Sequence, residues 1–173
     1  MASRLNLFLL LALVFSLPTI AAKAFGDASP TEVDEVIELL DSIPQDPPIP
    51  PQLHTEGGQD EGLKNAVAKF VLDVLVILRL TNDIPEDYYR AVKGIHLMRA
   101  WRHEALPDAV QLLLQYKTPV DRDSIFGYDG LHLAIRDLNL IDTRKARRVL
   151  KLASISAIPI VRSTARRAQS QPR

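Results

Sequence analysis

The sequence has no cysteine, and that absence removes several function classes at once. Disulfide frameworks, thiol nucleophiles, thiolate-held zinc and Cys-ligated iron–sulfur clusters are excluded, so a packed core must supply the stability. Aromatic residues make up only 6% and there is a single Trp, so that core is mainly aliphatic. Catalytic signatures are missing as well. The chain contains no Gly-x-Ser-x-Gly elbow, His-Glu-x-x-His zinc helix, Walker loop, Gly-x-Gly-x-x-Gly turn or EF-hand loop. The chain is therefore read as a non-enzyme that needs no cofactor.

What is present has the composition of a folded protein. Of 173 residues 47% are apolar and 24% charged, far from the signature of disorder, and the length suits one domain with a tail or two. At the N-terminus Arg4 precedes an apolar run, Leu5–Leu17, interrupted only by Asn6 and Ser16 and ended by Pro18. As a helix it would cover about 20 Å, short of the roughly 30 Å of a hydrocarbon core. Ala22-Lys23-Ala24 then supplies the small residues that signal peptidase recognises. Residues 1–24 are thus read as a secretory signal cleaved after Ala24. Export to the extracellular space follows, with no transmembrane segment in the mature chain.

A net charge of zero conceals a division. Residues 25–62 carry ten acidic side chains and no Lys or Arg, whereas residues 63–173 carry 19 basic against 11 acidic. An acidic arm is joined to a basic body. Such a split implies that the arm lies on the body, or that each part meets its own partner. The expected place for the arm is over the basic C-terminal helix.

The pattern predicts an all-α protein: a small bundle of four to five helices, preceded by an acidic helix on a Pro-rich linker. Ser29, Pro30 and Glu32 form a helix start, and Val33, Val36, Ile37 and Leu40 fall on one stripe, giving an acidic amphipathic helix within residues 25–41. Five prolines between Pro44 and Pro51, followed by Gly57-Gly58, mark residues 42–62 as linker. Residues 63–158 form the bundle. In Ala66–Leu80 twelve of fifteen residues are apolar, as expected of a central helix, with Lys69 and Asp73 spaced for a surface ion pair. Ile84, Tyr88, Ala91, Val92, Ile95 and Met98 mark the next stripe. Val110, Leu113 and Leu114 mark another, between Pro107 and Pro119. Asp121–Gly130 reads as a loop. Leu131, Ile135 and Leu138 suit a helix, although the alternation Leu131, Leu133, Ile135 also suits a short strand. Asp142 is placed to cap a last helix that Pro159 stops or kinks, leaving residues 159–173 as a basic tail.

The candidate site lies in that last helix. Five of the eight residues from Arg144 to Lys151 are basic (Arg144, Lys145, Arg147, Arg148, Lys151), and beyond Asp142 no acidic residue follows. A basic amphipathic helix suits a polyanion or an anionic lipid surface; it equally suits a solvated helix whose apolar face completes the bundle. Trp101, between Arg99 and Arg102, is a candidate anchor for a protein partner. His96 and His103, seven apart on one predicted helix with Arg99 between them, lack a third ligand for a metal. Among the dibasic pairs, Arg166-Arg167 lies in the expected tail and is the accessible site for a secretory convertase, cutting after Arg167.

Trp101, Pro107, Val110 and Leu114 resemble the W motif of secreted oomycete effectors, in which a helical Trp precedes a Pro-x-x-Val-x-x-x-Leu turn into the next helix. The likeness spans about fourteen residues, and the Arg-x-Leu-Arg element of that family is missing. It implies a host-targeted effector. The residues themselves support a secreted, non-catalytic helical protein that binds an extracellular protein or an anionic surface, without specificity for nucleic acid. The alternative is a precursor processed at dibasic sites to release a cationic C-terminal peptide.

Overall fold

The structure is a computed structural model and describes residues 30–43, 60–81, 83–115 and 128–171. Among these residues the chain is all-helical, with no strand: α1 Pro30–Ser42, α2 Glu61–Thr81, α3 Tyr88–Ala100, α4 Leu106–Gln115, α5 Tyr128–Asp137, a 3-10 turn Leu138–Leu140, α6 Arg144–Ala153 and α7 Pro159–Ser170. The expected signal and its cut at Ala24, the Ser29 cap, the Pro-rich stretch and residues 121–127 of the expected loop lie outside the described residues, whereas Tyr128–Gly130, expected in that loop, open α5.

Helix α2 is the centre of the packing, meeting α1, α3 and α4. Asp60 starts it, accepting a hydrogen bond from the Leu63 amide at 3.1 Å. Val67, Val71, Val74, Leu75 and Leu78 recur at helical spacing and are buried. The apolar excess does not bury the whole circumference, because Val76 and Leu80 are exposed on the outer face. The expected Lys69–Asp73 pair does not form. Asp73 Oδ2 is buried without a hydrogen-bond partner among the described residues, and this burial raises its pKa although the Lys69 charge opposes the shift.

Helix α1 belongs to the same core. Val36, Leu40 and Ile43 are buried, and the helix packs on α2 and α3, which corrects the expectation that the acidic arm covers the basic C-terminal helix. The reason is one of magnitude: burying each aliphatic side chain contributes about 1.5–3 kcal/mol, whereas attraction between solvated charges is weak and screened. The apolar stripe, not net charge, decides where α1 docks.

Helix α3 buries Tyr88, Ala91, Val92, Ile95 and Met98 as the spacing predicts, and Leu97 beside them. Ile84 departs from the prediction and is 60% exposed, since it precedes the helix in the turn. Gly94 is the contact point with α2: a Cβ there would overlap the Val71 Cγ2 methyl. The helix ends in a Schellman turn, with the His103 amide donating to the Met98 carbonyl at 2.8 Å and Arg102 in the left-handed region at φ 52°. His103 therefore lies beyond α3, off the helical face it was expected to share with His96.

The second half closes the core. Pro107 sits in the first turn of α4, where a missing amide does no harm. Leu131, Ala134 and Ile135 are buried along α5, so the 3.6-residue period prevails over the strand alternative. Thr143, not Asp142, caps α6, its hydroxyl accepting from the Ala146 amide at 3.1 Å. Residues 159–170, expected as part of a tail, form α7. Pro159 begins this helix instead of ending the preceding one, and Val161, Ala165 and Ala168 at i, i+4 and i+7 pack into the core, with α5 and α6 as neighbours.

Candidate functional site

Helix α6 is built on two opposed faces. Ala146, Val149, Leu150 and Ala153 are buried, while Arg144, Lys145, Arg147, Arg148 and Lys151 are exposed on the other side. The bundle thus uses the apolar stripe, and the cations are left to solvent. Two of them have carboxylate partners: Arg147 Nη1 donates to Asp142 Oδ1 at 2.6 Å, and Lys145 pairs with Asp108 of α4. Arg144, Arg148 and Lys151 have no acidic partner among the described residues.

The placement is electrostatically unfavourable for the helix itself. Arg144, Lys145 and Arg147 lie at the amino end of α6, whose first turn holds no acid, and the macrodipole is positive there. Each such cation costs a few tenths of a kcal/mol to about 1 kcal/mol at a solvated helix start. Exposed pairs such as those with Asp108 and Asp142 return about the same or less. The N-terminus of α6 is therefore a region of positive potential that an anion would relieve.

Beside it, between α6, the 3-10 turn and the end of α7, lies a groove of about 310 Å³ lined by Asn139, Arg147, Leu150, Lys151, Gln169 and Gln171. Arg147 and Lys151 are four residues apart on one face and bring two cations to its rim. Asn139 is buried, and its Nδ2 donates to the Gln171 carbonyl at 3.4 Å. Among the described residues no carboxylate lines the groove. Its polar groups are amides and cations, a set that can hydrogen-bond and neutralise a phosphate, sulfate or carboxylate. Sequence reasoning found Arg147 and Lys151 through the run of basic residues. It missed Asn139, Gln169 and Gln171, because they become neighbours only when α7 packs beside α6.

The other residues singled out fall elsewhere. Trp101 is half-buried and packed against the core at the end of α3, and it does not line the groove. His96 accepts at Nδ1 from Arg99 Nη1 at 2.8 Å, and Arg99 Nε binds Asp137 Oδ2 at 2.8 Å, so this cluster fastens α3 to α5. Among the described residues no three His, Asp or Glu side chains gather as a metal site. Arg166 and Arg167 are exposed, but both lie inside α7. The reason for favouring this pair over those of α6 as a cleavage site is thereby lost, because a protease needs extended backbone and both helices pack into the core.

No family model, curated protein or solved structure matches the chain. The W-motif likeness rests on four positions at one corner, where Trp101 ends α3 and Pro107, Val110 and Leu114 lie along α4. Pro107 and Val110 are buried, and Leu114 packs against the core. All four serve the packing of that corner.

Proposed function

We propose that the chain is an exported, non-catalytic helical protein that binds a polyanionic surface through the basic face of α6, with an acidic helix and Pro-rich spacer preceding a basic body. The observation that carries this reading is the set Arg144, Arg148 and Lys151: exposed, without acidic partners among the described residues, and spaced i, i+4 and i+7 along one face of α6, with Arg144 at the helix start where the dipole disfavours a cation. A solvated helix serving only the core would be more stable with acids in its first turn. The groove beside Arg147 and Lys151, with three amides and no carboxylate among the described residues, adds hydrogen-bond donors to the same face. Among the described residues no helix is long and apolar enough to cross a membrane.

The test is binding to heparin as a soluble polyanion. Replacing Arg144, Arg148 and Lys151 together by Ser should lower the salt concentration at which the chain elutes and flatten the dependence of log affinity on log salt, as expected when fewer counterions are released. Unchanged elution would overturn the reading. Export is tested separately by the N-terminus of the chain recovered from the medium: Phe25 is expected, and Met1 or Ala2 would refute it.

A further inference from the structure

We propose that the turn between α6 and α7 inserts into an anionic phospholipid bilayer, with Leu152, Ile155 and Ile160 as the inserting side chains and Arg148 and Lys151 as headgroup contacts. This deepens the proposed function, on which it rests, by naming the surface as lipid.

The apolar stripe of α6 is committed to the core, so it cannot also face a membrane. A separate apolar group is available. Leu152, Ile155 and Ile160 are 45%, 74% and 37% exposed, three large aliphatics within nine residues of chain. Arg148, Leu152 and Ile155 stand at i, i+4 and i+7 along one side of α6 and its helical C-cap, Ser154, with Lys151 next to them. Cations and aliphatics thus share one edge.

The turn is fastened from within. Arg162 Nη1 donates to the Ser156 carbonyl at 2.7 Å, the Ile158 amide donates to Ser156 Oγ at 3.2 Å, and the Ser154 amide donates to the Leu150 carbonyl at 2.9 Å. Ile155 is held out in a fixed turn, not left on a loose loop, so little ordering entropy is lost on insertion.

Charge decides what covers this patch. Exposed aliphatics beside unpaired cations, in a stretch with no acid after Asp142, match a surface that is apolar inside and negative outside. A second exposed apolar group among the described residues, Val76, Leu80, Ile84 and Tyr89 around the α2–α3 turn, has Asp83 and Glu86 beside its one unpaired cation, Arg79, and lacks that match.

The experiment compares two probes, heparin and vesicles of phosphatidylcholine with phosphatidylserine. It uses the full chain and, in parallel, the chain without its first 24 residues, so that the Leu5–Leu17 run does not mask the result. Changing Leu152, Ile155 and Ile160 together to Ser should weaken vesicle binding by at least about tenfold and alter heparin binding less than about twofold. The Arg144, Arg148 and Lys151 variant should weaken both, by about fivefold per charge on vesicles. Because the chain has no cysteine, Ile155→Cys accepts a single environment-sensitive dye. Its emission should shift to the blue on anionic vesicles and not on heparin. Vesicle binding unchanged by the Ser variant, an equal loss on heparin, or a dye that does not shift would each overturn lipid insertion. Binding of the basic variant unchanged on both probes would instead remove the proposed function itself.

Discussion

Arg90 holds Asp41 through two parallel hydrogen bonds, Nε to Oδ1 and Nη2 to Oδ2, both 2.8 Å long. A third bond from Arg90 reaches Asp87 at 2.6 Å, and Lys93 Nζ donates to the Leu40 carbonyl at 2.9 Å, where the last turn of α1 leaves a carbonyl to be satisfied. The pair keeps the Asp41 carboxyl below its ordinary pKa, chiefly through the Arg90 hydrogen bonds. Its contribution is therefore present above the unfolded value and fades as pH falls. These contacts join the last turn of α1 to α3, where Leu40 is fully buried.

Leu40→Ala should cost about 2–5 kcal/mol, since the side chain is fully buried and the site cannot close completely. The expected readout is a lower urea midpoint with the transition still single. An unchanged midpoint would mean that α1 contributes nothing to the cooperative unit. Salt at 1 M should leave α1 in place, because apolar burial is not screened.

Gly94→Ala tests the crossing of α2 and α3. Helix propensity alone favours Ala by about 1 kcal/mol, so a stabilised variant is the default at an unconstrained site. Here the new methyl would overlap Val71 Cγ2, with Val67 Cγ1 a further contact at 3.5 Å. Overpacking of this kind costs about 1–3 kcal/mol, and the net outcome should be destabilisation. Combining it with Val71→Ala should recover part of the loss, giving a coupling of about 0.5–3 kcal/mol in a double-mutant cycle. A more stable Gly94→Ala protein would show that the helices can separate freely.

Most of this fold was legible in the sequence because aliphatic residues at helical spacing leave little choice. Val36 with Leu40, Val67 with Val71 and Val74, and Ala146 with Val149 and Ala153 all mark buried faces. Positions whose outcome depends on the partner helix were not legible. Ile84 fits the α3 stripe by spacing, yet it lies in the turn and has nothing to pack on. Pro159 reads as a stop or kink of the preceding helix with a tail beyond it, yet the docking of Ala165 and Ala168 makes it the start of α7. The basic residues of the candidate site were visible, but the groove was not, since Asn139 and Gln171 are 32 residues apart. A short-range pattern cannot join them.

Arg102 occupies a backbone conformation that favours glycine, at φ 52° in the turn that closes α3. A non-glycine residue in this region costs roughly 1–2 kcal/mol, partly offset by the greater entropy that glycine loses on folding. Arg102→Gly should therefore raise the thermal midpoint, by an amount corresponding to about 1 kcal/mol, and Arg102→Val should lower it. If Gly stabilised no more than Val, the left-handed turn would not carry the strain assigned to it.

His103 makes the protein sensitive to mild acid. Its Nδ1 accepts the Ala105 amide at 3.1 Å, which leaves the hydrogen on Nε2, donated to Asn65 Oδ1 at 3.3 Å. The first bond requires the neutral ring, because protonating Nδ1 would break it, whereas the Nε2–H donation survives protonation. Burial is the main cause of its lowered pKa, with Lys64 adding to the shift and Glu104 and Glu61 opposing it. His96 is lowered in the same direction, by burial first and then by the Arg99 charge, against Asp137. Just below the ordinary histidine value of about 6.5 the unfolded chain binds protons that the folded chain does not, so stability falls as pH falls through that window. Asp73 acts with the opposite sign at lower pH: its raised pKa makes the folded chain bind the extra proton, and stability there is gained on acidification. Urea midpoints should therefore drop between pH 7 and pH 5. His103→Asn keeps an acceptor for the Ala105 amide and removes the titrating ring; it should make the slope shallower, and replacing His96 by Gln as well should nearly abolish it. A wild-type profile that is flat across this range, or a slope unaffected by His103→Asn, would show that these rings are not held neutral by the fold.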